Sequence, residues 1–520
     1  MIVIRNSRLR LFALVFISVT LLFLNFPLSQ AKADSSETFL KPYLDKISHQ
    51  VSEFQLANGL KFIVLENHQS PTISFVTYAN VGGVDEPDGK TGVAHFLEHL
   101  AFKGTQTIGT TDYSSEKPLL DKLNLIFEGI KENQKRQNLT EVQRLEKEFE
   151  QIEQQAQQYV RVNEFGQIVE KNGGQDLNAQ TSADSTVYFY SFPSNKLELW
   201  MSLESERFLH PVFREFFKEK QVILEERRMR TEDSPIGQLL EAFLNTAFTN
   251  HPYKRPVIGY TKDLRTVSPE NVSTFFNNYY SPHNLTMAIV GDVNPQEVEK
   301  LAKKYFSRYP SSPVFSKVDI IEPKQIKSKE VDLSLNSQPW FIEGFHVPAL
   351  SSGNNAVYDV ISSILTQGRT SRLYKSLIEK QRLAILAQGD IGFPGNRYPN
   401  LMIFYALTTP GTNVNQIENA LDYELELLKT EPVTSEELER AKTTLIADIF
   451  SNLDSNLNIA KQLAEYQAKT GSWRNLFSQI EAIKKVSRLD IQKIAKETFR
   501  QDNRTIGRIL TQKDNALKTN

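Results

Sequence analysis

The stretch SPENVSTFFNNYYSPHNLTMAIVGDV (268–293) reads as an amphipathic helix, a short polar turn and a strand, and SRLDIQKIAKETFRQDNRTIGRIL (487–510) reads the same way. At a fixed offset of 219, Ser268 falls on Ser487, Asn284 on Asn503 and Thr286 on Thr505. Tyr280 meets Phe499, while Ile289 meets Arg508, a mismatch. One unit that closes each half of a chain points to two domains of one fold. Upstream, 54–56, the turn Asn58-Gly59 and 60–65 give a hairpin signal. Residues 73–81 and 187–192 read as strands, and 92–102 and 197–208 as helices. Strands and helices grouped this way argue an α+β class. The expected architecture is two homologous α/β sandwiches, each a sheet with helices. They span 34–310 and 331–520, and a linker at 311–330 carries Pro313 and Pro323 among charges.

Composition narrows the function classes. The chain has 520 residues, 40% hydrophobic and 23% charged, enough for several packed cores. Its 60 Lys and Arg against 62 Asp and Glu give a net charge of −2, with no electrostatic footprint for nucleic acid. Cysteine is absent, which removes disulfides, thiolate metal sites and cysteine nucleophiles together. Any metal must therefore be held by histidine and carboxylate.

The N-terminus carries Arg5, Arg8 and Arg10, then an apolar run over 11–24, then Ala31-Lys32-Ala33. That order describes a secretory signal peptide over 1–33, with an uncleaved anchor as the alternative. The run is short for a membrane span, which needs about 20 residues. Its removal leaves 56 basic against 62 acidic residues, a mature chain without membrane association that works in the periplasm or otherwise outside the cytoplasm. Residues 115–165 form a separate unit. Leu119, Leu123, Ile126 and Ile130, then Leu139, Val142, Leu145, Phe149, Ile152 and Ala156, recur at three and four. The break at Asn138 makes this a helical hairpin, either a solvated decoration or a partner-docking or lid element.

The chemistry centres on His95-Phe96-Leu97-Glu98-His99. On a helix His95 and His99 are one turn apart and point the same way, so both imidazoles reach one ion. Glu98 lies beside that face, within reach of a water. The arrangement is H-x-x-E-H, the reverse of the commoner zinc-peptidase order. A catalytic zinc needs a third protein ligand, here a carboxylate. In EKQVILEERRMR (219–230), Glu219 and Glu226 are seven apart and share one face, so one would ligate and the other orient a histidine. Val222 and Ile223 are expected to pack inward. Manganese or cobalt would also bind such donors.

The chain resembles the pitrilysin/insulinase family of zinc peptidases, the inverzincins, on its mitochondrial-processing-peptidase-like bacterial branch. The residues that carry the resemblance are GGVDEPDGKTGVAHFLEHLAFKGT (82–105), LNAQTSADSTVYFY (177–190), PVFREFFKEKQVILEERRMRTEDSP (211–235), HPYKRPVIGYTKDL (251–264) and GRTSRLYKSL (368–377). The resemblance implies one zinc ion per chain, held by His95, His99 and Glu226. It also implies Glu98 as general base, Glu219 behind a histidine, and Asn178 and Ala179 on an edge strand that pairs with substrate backbone. It further implies a bowl-shaped half and an endopeptidase acting on peptides or unfolded polypeptides.

Two departures stand out. His99 and Glu226 are further apart than usual by about fifty residues, which the hairpin accounts for as an insertion. The Arg and Tyr that the family's second half or partner subunit supplies fall here on Ile378 and Ile385. The chain thus reads as the metal-bearing subunit of a two-subunit peptidase, with a homologous partner carrying Arg and Tyr. Arg372, Tyr374 and Arg382 are the local substitutes. The alternative is a non-enzymatic peptide-binding or assembly subunit of the same fold.

Overall fold

The computed structural model describes residues 47–311 and 318–511. The expected signal segment and residues 312–317 of the expected linker lie outside them. Strands β1 (Val51–Gln55), β2 (Lys61–Glu66), β3 (Thr72–Ala79), β4 (Gln175–Thr181), β5 (Thr186–Pro193) and β6 (Leu285–Gly291) form one sheet in the order β1-β2-β6-β3-β5-β4. Strands β7 (Lys329–Ser334), β8 (Trp340–Val347), β9 (Ala384–Phe393), β10 (Asn400–Thr408) and β11 (Arg504–Leu510) form a second, in the order β7-β11-β8-β10-β9. Apart from β1 the two sheets share one pattern. β2 runs parallel to β6 as β7 does to β11, and the other neighbours are antiparallel. The class is α+β.

In the first half α1 (Val93–Leu100) follows β3, and α2 (Tyr113–Lys135) and α3 (Leu139–Gln157) form the hairpin. Helices α4 (Phe216–Arg227) and α5 (Pro235–Ala247) follow β5, and α6 (Pro269–Tyr279) leads into β6. In the second half α7 (Asn355–Thr366) follows β8, α8 (Asn456–Thr470) follows β10, and α9 (Arg488–Thr498) leads into β11.

The matched residues of the repeat do matched jobs. Ser268 and Ser487 are the N-caps of α6 and α9, each accepting from the backbone N–H three residues on. The Asn284 amide donates to the carbonyls of Tyr279 and Asn80, and Asn503 to those of Thr498 and His346. Each asparagine thus ties the end of a helix to the end of a neighbouring strand. The mismatch at Arg508 is resolved by charge. This residue is buried on β11, and its guanidinium pairs with Glu330 at 2.7 Å and Glu418 at 2.8 Å.

Each half also lends a helix to the other. Helix α5 lies on β11 and β7 of the second sheet, and α8 lies on β3 and β6 of the first. Leu239 and Phe243 of α5 share one buried cluster with Ile342, Ile403 and Ile509. Glycine permits the approach, because a Cβ on Gly344 would sit 2.8 Å from the Phe243 ring. The sequence pattern carries no mark of this exchange, because an amphipathic helix does not name its partner.

Three local readings need correction. Ile223 is buried but Val222 is 45% exposed, since consecutive helical residues lie about 100° apart and one face cannot take both. Leu139 is 69% exposed, because it follows the cap Asn138 and starts a first turn outside the hairpin core. Part of the stretch read as linker is anchored. The Glu322 carboxylate accepts from the backbone N–H groups of Thr249, Asn250 and His251, and Gln325 donates to the Arg504 carbonyl.

The hairpin is tied down by a buried pair. Arg214 holds Glu116 through two hydrogen bonds of 3.0 and 3.1 Å and donates to the carbonyls of Lys103, Thr105 and Ile108. Phe217 of α4 packs between Phe127 and Phe149 of the two hairpin helices. Removing one partner of such a pair leaves a buried charge, which costs about 3–5 kcal/mol. Arg214→Met is expected to destabilise the protein on that scale, read as a clear fall in the thermal midpoint, and the paired Glu116→Gln change to recover part of it.

Candidate metal centre

Helix α1 begins where the backbone turns left-handed at Gly92, with φ 88°. A side chain there would meet the Ile258 carbonyl at 2.6 Å, so glycine is required twice over. No side chain of the N-cap closes the helix start. The buried Glu86 carboxylate does so, accepting from Gly92 N and Ala94 N at 2.9 Å each. Burial pushes its carboxyl up to about 8 despite those two donors.

The helix places His95 and His99 on one face, their ring centroids 4.9 Å apart and nearly perpendicular. Helix α4 presents Glu226 to both: its Oε2 lies 3.8 Å from His95 Nε2 and 3.7 Å from His99 Nε2. One ligand atom from each of the three residues falls within 4.8 Å of the others, the only such cluster of three metal-binding groups among the described residues. Ligands on a tetrahedral zinc with bonds of about 2.0–2.2 Å stand roughly 3.3–3.6 Å apart, so these donors fit one ion after small adjustments. Burial drives His95 down to about 3, with the charges of His99 and Arg230 adding to it, so its imidazole is neutral and keeps a lone pair.

The surroundings separate the two carboxylates left open by spacing alone. Glu219 Oε2 contacts His99 Nδ1 at 3.3 Å, which leaves Nε2 free on the Glu226 side. Lys103 binds Glu219 at 2.5 Å and Glu215 at 3.1 Å. Burial alone would raise the Glu219 carboxyl, but His99 and Lys103 outweigh it and bring it down to about 2. Burial likewise works against charge on His99, yet the Glu219 contact and the charges of Glu226, Glu219 and Glu98 raise its pKa. Glu226 Oε1 is held by Arg230 at 2.8 Å, leaving Oε2 to face the histidines. Glu98 is held by Thr181 Oγ1, 2.5 Å from Oε2. Burial raises the Glu98 carboxyl, and the Thr181 bond only partly offsets this.

Thr181 ends β4, an edge strand of its sheet, and Asn178 and Ala179 lie on the same strand. The Asn178 side chain accepts from Ala179 N at 2.8 Å. A cleft of about 380 Å³ is bounded by Glu98, His99, Phe102, Asn178, Ala179 and Glu219, and by residues 160–163, where the chain returns from the hairpin. Thr181, Lys103 and Arg230 escaped the sequence reading. Only Thr181 carried a signal, sitting three residues beyond Asn178 on the expected edge strand.

Residues 61–123 and 152–261 match the family model described as insulinase (peptidase family M16), and residues 266–445 match the model described as the peptidase M16 inactive domain. A zinc protease, PqqE, from Helicobacter pylori is 30% identical over 422 residues, covering 79% of this chain and 82% of that protein. The chain belongs to peptidase family M16. A probable mitochondrial-processing peptidase subunit beta of Arabidopsis thaliana is 22% identical, covering 82% of this chain and 73% of that one. Among solved structures, a protease from Helicobacter pylori aligns with TM-score 0.74 and 27% identity, covering 88% of this chain and 99% of that one. The first half of the periplasmic protease PqqL from Escherichia coli shares the fold, with TM-score 0.66 at 18% identity. The interruption in the first M16 match falls inside the α2–α3 hairpin, as an insertion there requires.

In the M16 second half, Ile378 packs against the second core, and Ile385 is 55% exposed on β9, the edge strand of that sheet. Of the local substitutes, Arg372 is engaged by Glu437 at 3.0 Å. Tyr374 lies in the π-helical turn Tyr374–Lys380, and Arg382 is exposed in a left-handed backbone conformation with φ 54°.

Proposed function

We propose that this chain is a zinc-dependent endopeptidase that hydrolyses peptides or unfolded polypeptides outside the cytoplasm, as the metal-bearing subunit of a two-subunit enzyme. The observation that carries the reading is the convergence of His95, His99 and Glu226 beside a half-buried Glu98, at the foot of an open edge strand. The relatives named zinc proteases support it. The N-terminal segment and the periplasmic PqqL relative support the location. Among the described residues no helix is long and apolar enough to cross a membrane.

In this reading His95, His99 and Glu226 hold the zinc, and Glu219 fixes the His99 ring. Bound zinc supplies Lewis acidity to the attacking water and to the scissile carbonyl. Glu98 takes the proton from the water and hands it to the departing amine. The Thr181 hydroxyl holds the Glu98 carboxylate in place for that transfer. A peptide added to β4 lies extended past Glu98, held by main-chain hydrogen bonds that ask little of its sequence. To bind there it must displace the Asn178 contact with Ala179 N.

Glu219→Gln is expected to weaken zinc affinity about 10- to 100-fold without abolishing it, as removal of a ligand's orienting partner does. Metal-buffered titration reads this directly. The partner requirement rests on the two isoleucines. Zinc-loaded residues 34–520 are expected to cleave unstructured peptides only with a homologue that supplies Arg and Tyr. Cleavage by the chain alone refutes the two-subunit reading. The second reading, a peptide-binding subunit, draws on Ile378 and Ile385, and is favoured if zinc binds and no combination cleaves.

A further inference from the structure

One cavity of the second half lies at positions that correspond to His95 and Thr181 of the first. Thr286 and Thr505, matched by the repeat, stand opposite Tyr78 on β3 and Gly344 on β8. Helix α7 therefore follows β8 as α1 follows β3. Setting Gly104 on Gly368 places His95 on Asp359, His99 on Ser363 and Leu97 on Ile361, all 264 positions on. Leu97 and Ile361 are both core residues, as that alignment requires. Carried across the ladders, Thr181 on β4 falls on Ile391 of β9. Asp359 and Ile391 line one cavity of about 180 Å³, which no comparison assigns to a ligand.

We propose that this cavity binds a small organic cation of the guanidinium or alkylammonium class, either free or as the basic side chain of a peptide. Its walls offer unmatched acceptors. Asn400 is 2% exposed, and its Nδ2 donates to the carbonyls of Tyr398 at 3.0 Å and Pro348 at 3.3 Å. That fixes its Oδ1, which has no donor, and the buried Asn396 Oδ1 has none either. Asp359 Oδ2 accepts from Gln479 Nε2 at 2.9 Å, and the Gln479 oxygen is taken by the Tyr466 hydroxyl. Among the described residues no lysine or arginine pairs with Asp359, and burial pushes its carboxyl up to about 6 with only Gln479 opposing.

Charge selects the ligand. Glu465, on the same wall, is neutralised by Lys469 at 2.6 Å, so the cavity holds one unmatched negative charge. A divalent ion would leave an excess positive charge against a single carboxylate. A water satisfies an acceptor but not the charge. A monocation with several N–H donors meets both demands, and a planar guanidinium can address a carboxylate and amide oxygens together.

The test is calorimetric titration of the full mature chain with agmatine, a guanidinium probe. One saturable site is expected, with affinity at least tenfold weaker in Asp359→Asn at an unchanged melting temperature. If that variant misfolds, Gln462→Glu, which adds a carboxylate to the same wall, must strengthen binding. An arginine-bearing unstructured peptide, titrated into the Glu98→Gln chain, separates the sources. Agmatine binding alone marks a free cation, and peptide binding that depends on Asp359 marks a side chain. Binding that ignores both variants, Asp359-dependent binding of calcium in place of agmatine, or no binding of either probe overturns the proposal. No turnover enters the readout, so this site and the peptidase reading fail independently.

Discussion

Glu98→Gln is expected to abolish peptide cleavage while zinc content stays at one per chain. The glutamine keeps the shape of the side chain and can still meet Thr181 Oγ1, but it cannot take a proton. Loss of a positioned general base costs about 10²- to 10⁴-fold. Glu98 is not among the clustered donors, so metal binding has no reason to fall. The carboxylate also sits in a partly buried place that raises its pKa, and the neutral amide relieves that desolvation. A Glu98→Gln protein that cleaves at the parent rate would remove Glu98 as the base. One that loses its zinc would place Glu98 among the ligands instead.

Glu226→Ala is expected to lose zinc and, with it, all activity. The Oε2 of Glu226 is the carboxylate oxygen placed against both imidazoles, at 3.7 and 3.8 Å, and it is the only anion of the three donors. Two neutral imidazoles are a weaker site than two imidazoles and a carboxylate, so affinity should drop further than in Glu219→Gln. Arg230, which pairs with Glu226 at 2.8 Å, would then face the site unpaired and repel a cation. Metal analysis after dialysis against a mild chelator reads the difference. Full zinc occupancy in Glu226→Ala would transfer the ligand role to Glu219, the other carboxylate that touches a histidine of the cluster.

Much of this was legible in the sequence, for physical reasons. The H-x-x-E-H spacing fixes two imidazoles on one helix face because an α-helix repeats every 3.6 residues. The repeat around Ser268 and Ser487 was legible because caps and turns are local chemistry. The hairpin followed from its periodicity, with the break set by a real N-cap at Asn138. What stayed hidden depends on contacts far apart in the chain. Thr181 reaches Glu98 across 83 positions and Lys103 reaches Glu219 across 116, and neither pairing has a local signature. The choice between Glu219 and Glu226 has the same character. Both lie on one face of α4, and only the position of α1 tells which of them meets both rings. Helix α5 packs against the other half's sheet, a pairing with no local signature either.

The most direct measurement is X-ray absorption at the zinc edge on residues 34–520, paired with zinc content of His95→Ala. The geometry requires nitrogen and oxygen neighbours at about 2.0–2.1 Å, two imidazole signatures in the parent protein, and loss of stoichiometric zinc in the variant. Stoichiometric zinc without imidazole scattering, or zinc retained in full by His95→Ala, would contradict a metal centre built on His95, His99 and Glu226.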